Sequence, residues 1–343
     1  MKVNQFPDRR IKIDNEEFLY FGGTAYLGLP TNKAFQELVI QNILRWGTAY
    51  GSSRSANIEL TAYENGELFL AKYIKAEAAL TVSSGMLAGK LALEVLARQT
   101  DCFFHFPNTH TALKVASSLP FFVEKELNPR LLNSVSEKIT ILTDSVPSFH
   151  TKLIDLSVLN SIPSNKEITL LVDESHSLGI LGTNGCGMYS DILFPNIKRK
   201  IMIASLGKAL GLTGGVVASD TDFISKISKL DTFVSSAGMN PAFVQTIADA
   251  EEIYSQQHQK LKVNLQYIDK QLNKNKLILF HENYPLIYPS IEGLKEILLT
   301  NKIIATNFKY PTGNTNLNRI VITANHTKED LDTIIRILNA PQL

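Results

Sequence analysis

The sequence predicts an α/β protein: a mainly parallel seven-stranded sheet sandwiched by helices, with a smaller α+β unit toward the C-terminus. Three observations carry this expectation. Seven short, apolar, β-rich runs recur between residues 79 and 219. Several lack the apolar–polar alternation of a half-exposed strand and so read as strands buried on both faces, as parallel strands are. Helical patterns lie between some of them, and strands alternating with helices argue for βαβ units.

The seven runs are ALTVS (79–83), CFFHF (102–106), PFFVE (120–124), ITILT (139–143), ITLLV (168–172), IMIA (201–204) and GVVAS (215–219). The clearest intervening helix is GMLAGKLALEVLARQ, where Leu87, Leu91 and Val95 fall at i, i+4 and i+8. Before the sheet, TNKAFQELVIQNILRWG puts Phe35, Leu38, Val39, Ile43 and Trp46 on one helical face, with Thr31 or Asn32 to cap it and Gly47 to end it. After residue 241 a polar helical pattern runs to Lys274, followed by strand-like KLILF, KIIATNF and RIVITA and a last helix beginning TKEDLDTIIRIL. The division expected is an N-terminal segment (1–30), a large α/β domain (31–240) and a small α+β domain (241–343).

Composition narrows the function. The 343 residues carry 34 Lys+Arg against 33 Asp+Glu, so no global charge favours nucleic acid or an anionic membrane. The first residues are charged, without a signal-peptide core, and no later run reaches the length of a spanning helix, so a cytoplasmic protein is expected. Two cysteines, Cys102 and Cys186, read as free thiols, and the seven histidines show no ligand spacing, so no metal site is expected. Two nucleotide motifs fail on inspection. SSGMLAGK (83–90) has its glycines one residue too close and Leu91 where a magnesium-binding hydroxyl belongs; GTNGCG (182–187) lacks GxGxxG spacing.

Chemistry concentrates at the ends of two apolar runs. LLVDESHSLGILG puts Asp173 directly after a buried strand, with His176 three residues on; SLGKALGLTGG follows the neighbouring run with Lys208 among small residues and Gly211, Gly214 and Gly215 behind it. The carboxyl ends of parallel strands are where open α/β sheets bind ligands. A lone Asp there is more often a turn or cap, and a lone lysine more often a solvated loop residue. Together with the strand-to-helix turn Ser84-Gly85-Met86, whose amides suit a phosphate, they fit pyridoxal phosphate. That cofactor needs a lysine for its Schiff base, an acid facing its pyridine nitrogen and an anion cradle.

On these motifs the chain resembles the α-oxoamine synthases, fold-type-I pyridoxal-phosphate enzymes that join an amino acid to an acyl-CoA with loss of CO2. VDESHSLGILG resembles their VDDAHxxGxxG and SLGKALGLTGG their T-x-GK-x-x-G-x-x-GG, while YLGL (26–29) and RIVITANH (319–326) match their terminal signatures in order. The resemblance implies that Lys208 carries the Schiff base, Asp173 pairs with the pyridine nitrogen, His176 contacts the ring hydroxyl and His110 stacks on the ring. It further implies phosphate contacts from Gly85, Met86, Ser84 and Ser205, a place beside the ring for Ser148, and Arg319 on the substrate carboxylate. A homodimer follows from the same likeness, with Ser236 of one subunit reaching the phosphate of the other. Thr24 stands where the family has asparagine, SFHTK replaces SMDGD, and the 50–65 segment departs around Arg54, Ile58 and Tyr63. Thr24 and Arg54 are nonetheless expected at the substrate channel. Within the family the compact 8-amino-7-oxononanoate synthases, enzymes of biotin biosynthesis, are the first expectation. 2-Amino-3-ketobutyrate CoA ligase or serine palmitoyltransferase is the second, and an aminotransferase with the same lysine and aspartate is a further alternative.

Overall fold

The computed structural model describes residues 1–147, 150–273, 275–308 and 317–340. The chain divides into two compact units, one of residues 37–251 and one of 1–36 with 252–343.

In the first unit the seven-stranded sheet runs in the order Ala78–Val82, Gly215–Ser219, Ile197–Ser205, Lys166–Asp173, Glu137–Asp144, Cys102–His105, Leu119–Pro120. Every pairing is parallel except those of Gly215–Ser219, which runs antiparallel to both neighbours. All seven apolar runs thus enter one sheet. PFFVE contributes only its first residue, Pro120, because Phe122–Val123 turns back to pair with Glu126–Leu127 in a separate hairpin. Lys125 and Glu124, both in the left-handed region, make that turn.

The unbroken apolar runs follow from burial on both faces. Leu142, Leu171, Ile201, Ile203 and Val217 face a core closed by Ala88, Leu91, Ala92 and Val95 of helix Gly85–Leu96 and by Phe223 and Ile227 of helix Thr221–Ser228. Their neighbours Ile139, Ile141, Ile168, Leu170 and Val172 face the opposite core with Phe104, Phe106, Phe121 and Leu159. Each fully buried side chain of this size contributes about 1.5–3 kcal/mol, so a polar residue in mid-strand would be costly.

The second unit holds a six-stranded sheet ordered Arg10–Ile13, Glu16–Phe21, Ile303–Phe308, Leu317–Val321, Leu286–Pro289, Ile278–Phe280. The N-terminal segment supplies two strands that form a hairpin through Asp14 and Asn15, both at positive φ, and the second lies parallel to Ile303–Phe308. Side-chain bonding ties the two terminal signatures together. Gly28, at φ 64°, leaves no room for a Cβ beside the Asn325 side chain, whose Nδ2 donates to Gly28 O at 3.0 Å. The expected long polar helix is two, Pro241–Asp249 and Glu251–Gln271, parted at Ala250 without a glycine or proline to announce it. The last helix, Lys328–Asn339, opens on a capping box between Thr327 and Asp330.

Candidate active site

Register fixes the site. Asp144 and Asp173 are paired residues at the carboxyl ends of adjacent parallel strands, and Ile203, two residues before Ser205, is the partner of Asp173 on the next strand. Beyond Ser205 the chain folds back through Leu206 N to Gly214 O (3.0 Å) and Gly211 N to Lys208 O (3.3 Å), which lifts Lys208 off the sheet edge. Its Nζ lies 2.9 Å from His176 Nε2. The turn holding His176 is pinned by Glu174 N to Ile203 O at 2.7 Å and by Ser175 N to Asp173 Oδ1 at 2.9 Å.

Gly85 shows why the glycines matter. A Cβ there would lie 2.9 Å from Ser205 N and 3.0 Å from its Cα, and one on Gly215 would lie 2.3 Å from Ser84 O. Helix Gly85–Leu96 can therefore present its N-terminus directly against the strand that leads to Lys208. Ser84 caps it, its hydroxyl accepting from Leu87 N at 3.1 Å, and Ala88 N returns to Ser84 O. The amides of Gly85 and Met86 are those the cap and the helix do not use, and with the helix dipole they form an anion cradle. Ser205 stands at its wall; its own amide donates to Ser175 Oγ at 2.8 Å.

His110 opens a short 3₁₀ turn and is half exposed. Its Nδ1 accepts from Ala112 N at 3.3 Å and lies 3.8 Å from Asp173 Oδ2. Burial, with the charges of Lys208, Lys114 and Lys90, keeps the imidazole below its ordinary pKa despite Asp173, so it is neutral at pH 7. Asp173 itself is 6 % exposed. Glu174, fully buried, accepts from Met188 N (2.6 Å) and Ser177 Oγ (2.8 Å), yet burial pushes its carboxyl up to about 7.

The structure thus gathers Lys208, His176, Asp173, His110, Gly85, Met86, Ser84 and Ser205 within one unit. Ser148 lies outside the described residues. Ser236 is in the same unit, where its hydroxyl donates to Thr232 O. Thr24 and Arg319 belong to the other unit, Arg319 on strand Leu317–Val321 beside Tyr20, whose burial-raised hydroxyl pKa it draws back down. The Arg54 guanidinium makes two bonds to Glu67 (2.7 and 3.0 Å), donates to Thr81 O and covers the Tyr63 ring at 4.0 Å, and the side chain borders a cavity with Tyr50, Ile58 and Glu64.

Two residues were missed by sequence reasoning. Asp144 follows an apolar run just as Asp173 does, and the same rule reads it. His326 of the RIVITANH signature is a core residue, stacked on Phe21 at 4.2 Å and bonded to Thr323 N and Tyr20 O.

Residues 61–338 match the family model "Aminotransferase class I and II". The 8-amino-7-oxononanoate synthase of Aliivibrio fischeri is 26% identical over 98% of this chain and 92% of its own length, and that of Lysinibacillus sphaericus 24% identical over 96% and 90%. A serine palmitoyltransferase from S. paucimobilis, solved with a bound PLP–myriocin adduct, superposes with a TM-score of 0.82 at 18% identity, covering 99% of this chain and 91% of that one. The chain belongs to the aminotransferase class I and II family and, within it, to the α-oxoamine synthases.

Proposed function

We propose that the protein is a pyridoxal-phosphate-dependent acyltransferase of the 8-amino-7-oxononanoate synthase type, joining an amino acid to an acyl-CoA with release of CoA and CO2. The observation that carries this reading is the convergence of Lys208, Asp173 and the open N-terminus of helix Gly85–Leu96 on one sheet edge. The residues fit the cofactor. The cradle that a Cβ on Gly85 would fill suits its phosphate, and the buried Asp173 suits a cationic ring nitrogen. The His110 imidazole, 3.8 Å from Asp173, suits a ring face.

When bound, the cofactor supplies an electron sink for a carbanion at the amino acid's α carbon. Lys208 Nζ would hold the cofactor at its carbonyl carbon and, as a free amine, would be the base that takes the α proton. His176 Nε2, 2.9 Å away, holds that nitrogen in place. Asp173 as a carboxylate would keep the ring nitrogen protonated, and Gly85 and Met86 would hold the phosphate through their backbone amides. Arg319 is the proposed carboxylate anchor, a planar fork matching a carboxylate bidentately, with Thr24 proposed for the substrate and Ser148 for the cofactor. We further propose a cytoplasmic homodimer in which Ser236 serves the partner's phosphate site.

The near-full-length likeness to 8-amino-7-oxononanoate synthases supports acyl transfer over amino transfer. The test is a screen of glycine, alanine and serine against short, dicarboxylic and long acyl-CoAs, following thiol release. Release that requires both substrates supports the reading. Turnover with a keto acid and no thioester would make the enzyme an aminotransferase instead.

A further inference from the structure

We propose that Asp144 is a positioning residue of this site: its carboxyl, held on the His110 amide, fixes where the His110 ring stands relative to Asp173. Asp144 Oδ2 accepts from His110 N at 2.9 Å, a bond between the end of strand Glu137–Asp144 and the loop that follows strand Cys102–His105. The carboxyl is buried and the backbone that bears it is tied down. Asp144 is 6 % exposed and in register with Asp173, and the two strand ends are tied past their last ladder residue by Ser145 N to Asp173 O at 3.0 Å. Ser145 Oγ adds bonds to Asp173 O (3.2 Å) and Ser177 Oγ (2.7 Å). The His110 backbone is thereby anchored on one carboxyl while its ring lies 3.8 Å from the other.

The two acids have separate duties because they cannot share one. Two carboxylates at neighbouring strand ends disfavour each other's charge. Asp144 faces Asp173, the His110 amide and the charge of Lys208; burial and Asp173 raise its pKa well above the carboxylate range, while the amide and Lys208 draw it down. A protonated Asp144 still has an oxygen to accept the His110 N–H, and its O–H can donate beside Asp173. Asparagine is its isostere in that state.

The proposal rests on the cofactor reading for its consequence, but not for its first measurement. In cofactor-free protein with labelled histidine, the His110 amide and ring resonances report its position directly. Asp144→Asn should leave them at wild-type values and pyridoxal-phosphate affinity within about threefold, whereas Asp144→Ala should shift them and weaken the cofactor about tenfold or more. If the alanine variant does not fold, Asp144→Leu, which fills the space without an acceptor, takes its place with the same expectation. Wild-type His110 resonances in the folded alanine or leucine variant overturn the proposal, as does an asparagine variant as impaired as alanine. Failure of wild-type protein to take up the cofactor covalently would instead remove the cofactor reading, leaving the resonance arm to decide Asp144 alone.

Discussion

Gly85→Ala tests the cradle most directly. The new methyl would lie 2.9–3.0 Å from three atoms of Ser205, well inside ordinary contact, and two of the three belong to a backbone fixed at the end of a central strand. Neither partner is the flexible end of a side chain. Overpacking of this kind costs about 1–3 kcal/mol, while alanine in place of glycine in a helix returns about 0.5–1 kcal/mol. The net loss of stability is about 1 kcal/mol. The larger effect falls on the anion: to relieve the clash the helix must back away from Ser205, which moves the Gly85 and Met86 amides and costs about 1.5–3 kcal/mol of charged hydrogen bonding, roughly 10- to 100-fold in pyridoxal-phosphate affinity. Urea unfolding of cofactor-free protein reads the first quantity and fluorescence titration with the cofactor the second. Leu91→Ala, on the buried face of the same helix, is the control: it should cost about 2–5 kcal/mol of stability and leave affinity nearly unchanged. Unaltered cofactor affinity in Gly85→Ala, or parallel losses in both variants, would refute the idea that this helix end is the phosphate seat.

Further outcomes are expected. Borohydride reduction should fix the cofactor on the peptide bearing Lys208; Lys208→Ala should fold without being labelled, and Asp173→Asn should slow exchange of the substrate α proton about a hundredfold or more while phosphate binding persists. Arg54→Leu should lower stability measured by urea unfolding and leave the KM for acyl-CoA unchanged, because its partner Glu67 is the group stranded. Glu174, whose folded pKa of about 7 exceeds the ordinary 4.5, binds its proton more tightly in the folded state; stability is fully present below pH 4.5 and falls as pH rises through 7, by on the order of 3 kcal/mol, and Glu174→Gln should flatten that profile in urea titrations. Arg319→Lys should raise the amino-acid KM by the equivalent of about 1.5–3 kcal/mol with the melting temperature held; a loss of stability with normal kinetics would make Arg319 structural.

The large unit was legible because both its faces are buried, so each strand announces itself as an apolar run, and Asp173 and Lys208 stand where those runs stop. What stayed hidden was set by partners distant in sequence. The N-terminal strands are short, half-exposed and charged (RIKI, EEFLYF), and their only local signal is the Asp14-Asn15 turn, which becomes a hairpin once Ile303–Phe308 lies alongside. Arg54 looks like any loop cation until Glu67, one helix later, meets it. Asp144 obeys the rule that exposed Asp173, but its importance lies in the backbone amide it holds, and no spacing encodes that bond.

The antiparallel strand Gly215–Ser219 sets the order in which the protein can be assembled. Strand Ala78–Val82, which leads into the cradle helix, has no other neighbour in its sheet among the described residues. During synthesis that strand therefore emerges early and waits as an unpaired edge, with the Gly85 and Met86 amides facing no wall, until the segment carrying Lys208 and Gly215 leaves the ribosome. Such non-local closure is slow, and an unpaired apolar strand is a template for association with other chains. A chain interrupted before residue 215 would lack the partner of that strand and the wall of the phosphate seat, and would be prone to aggregation rather than partly functional.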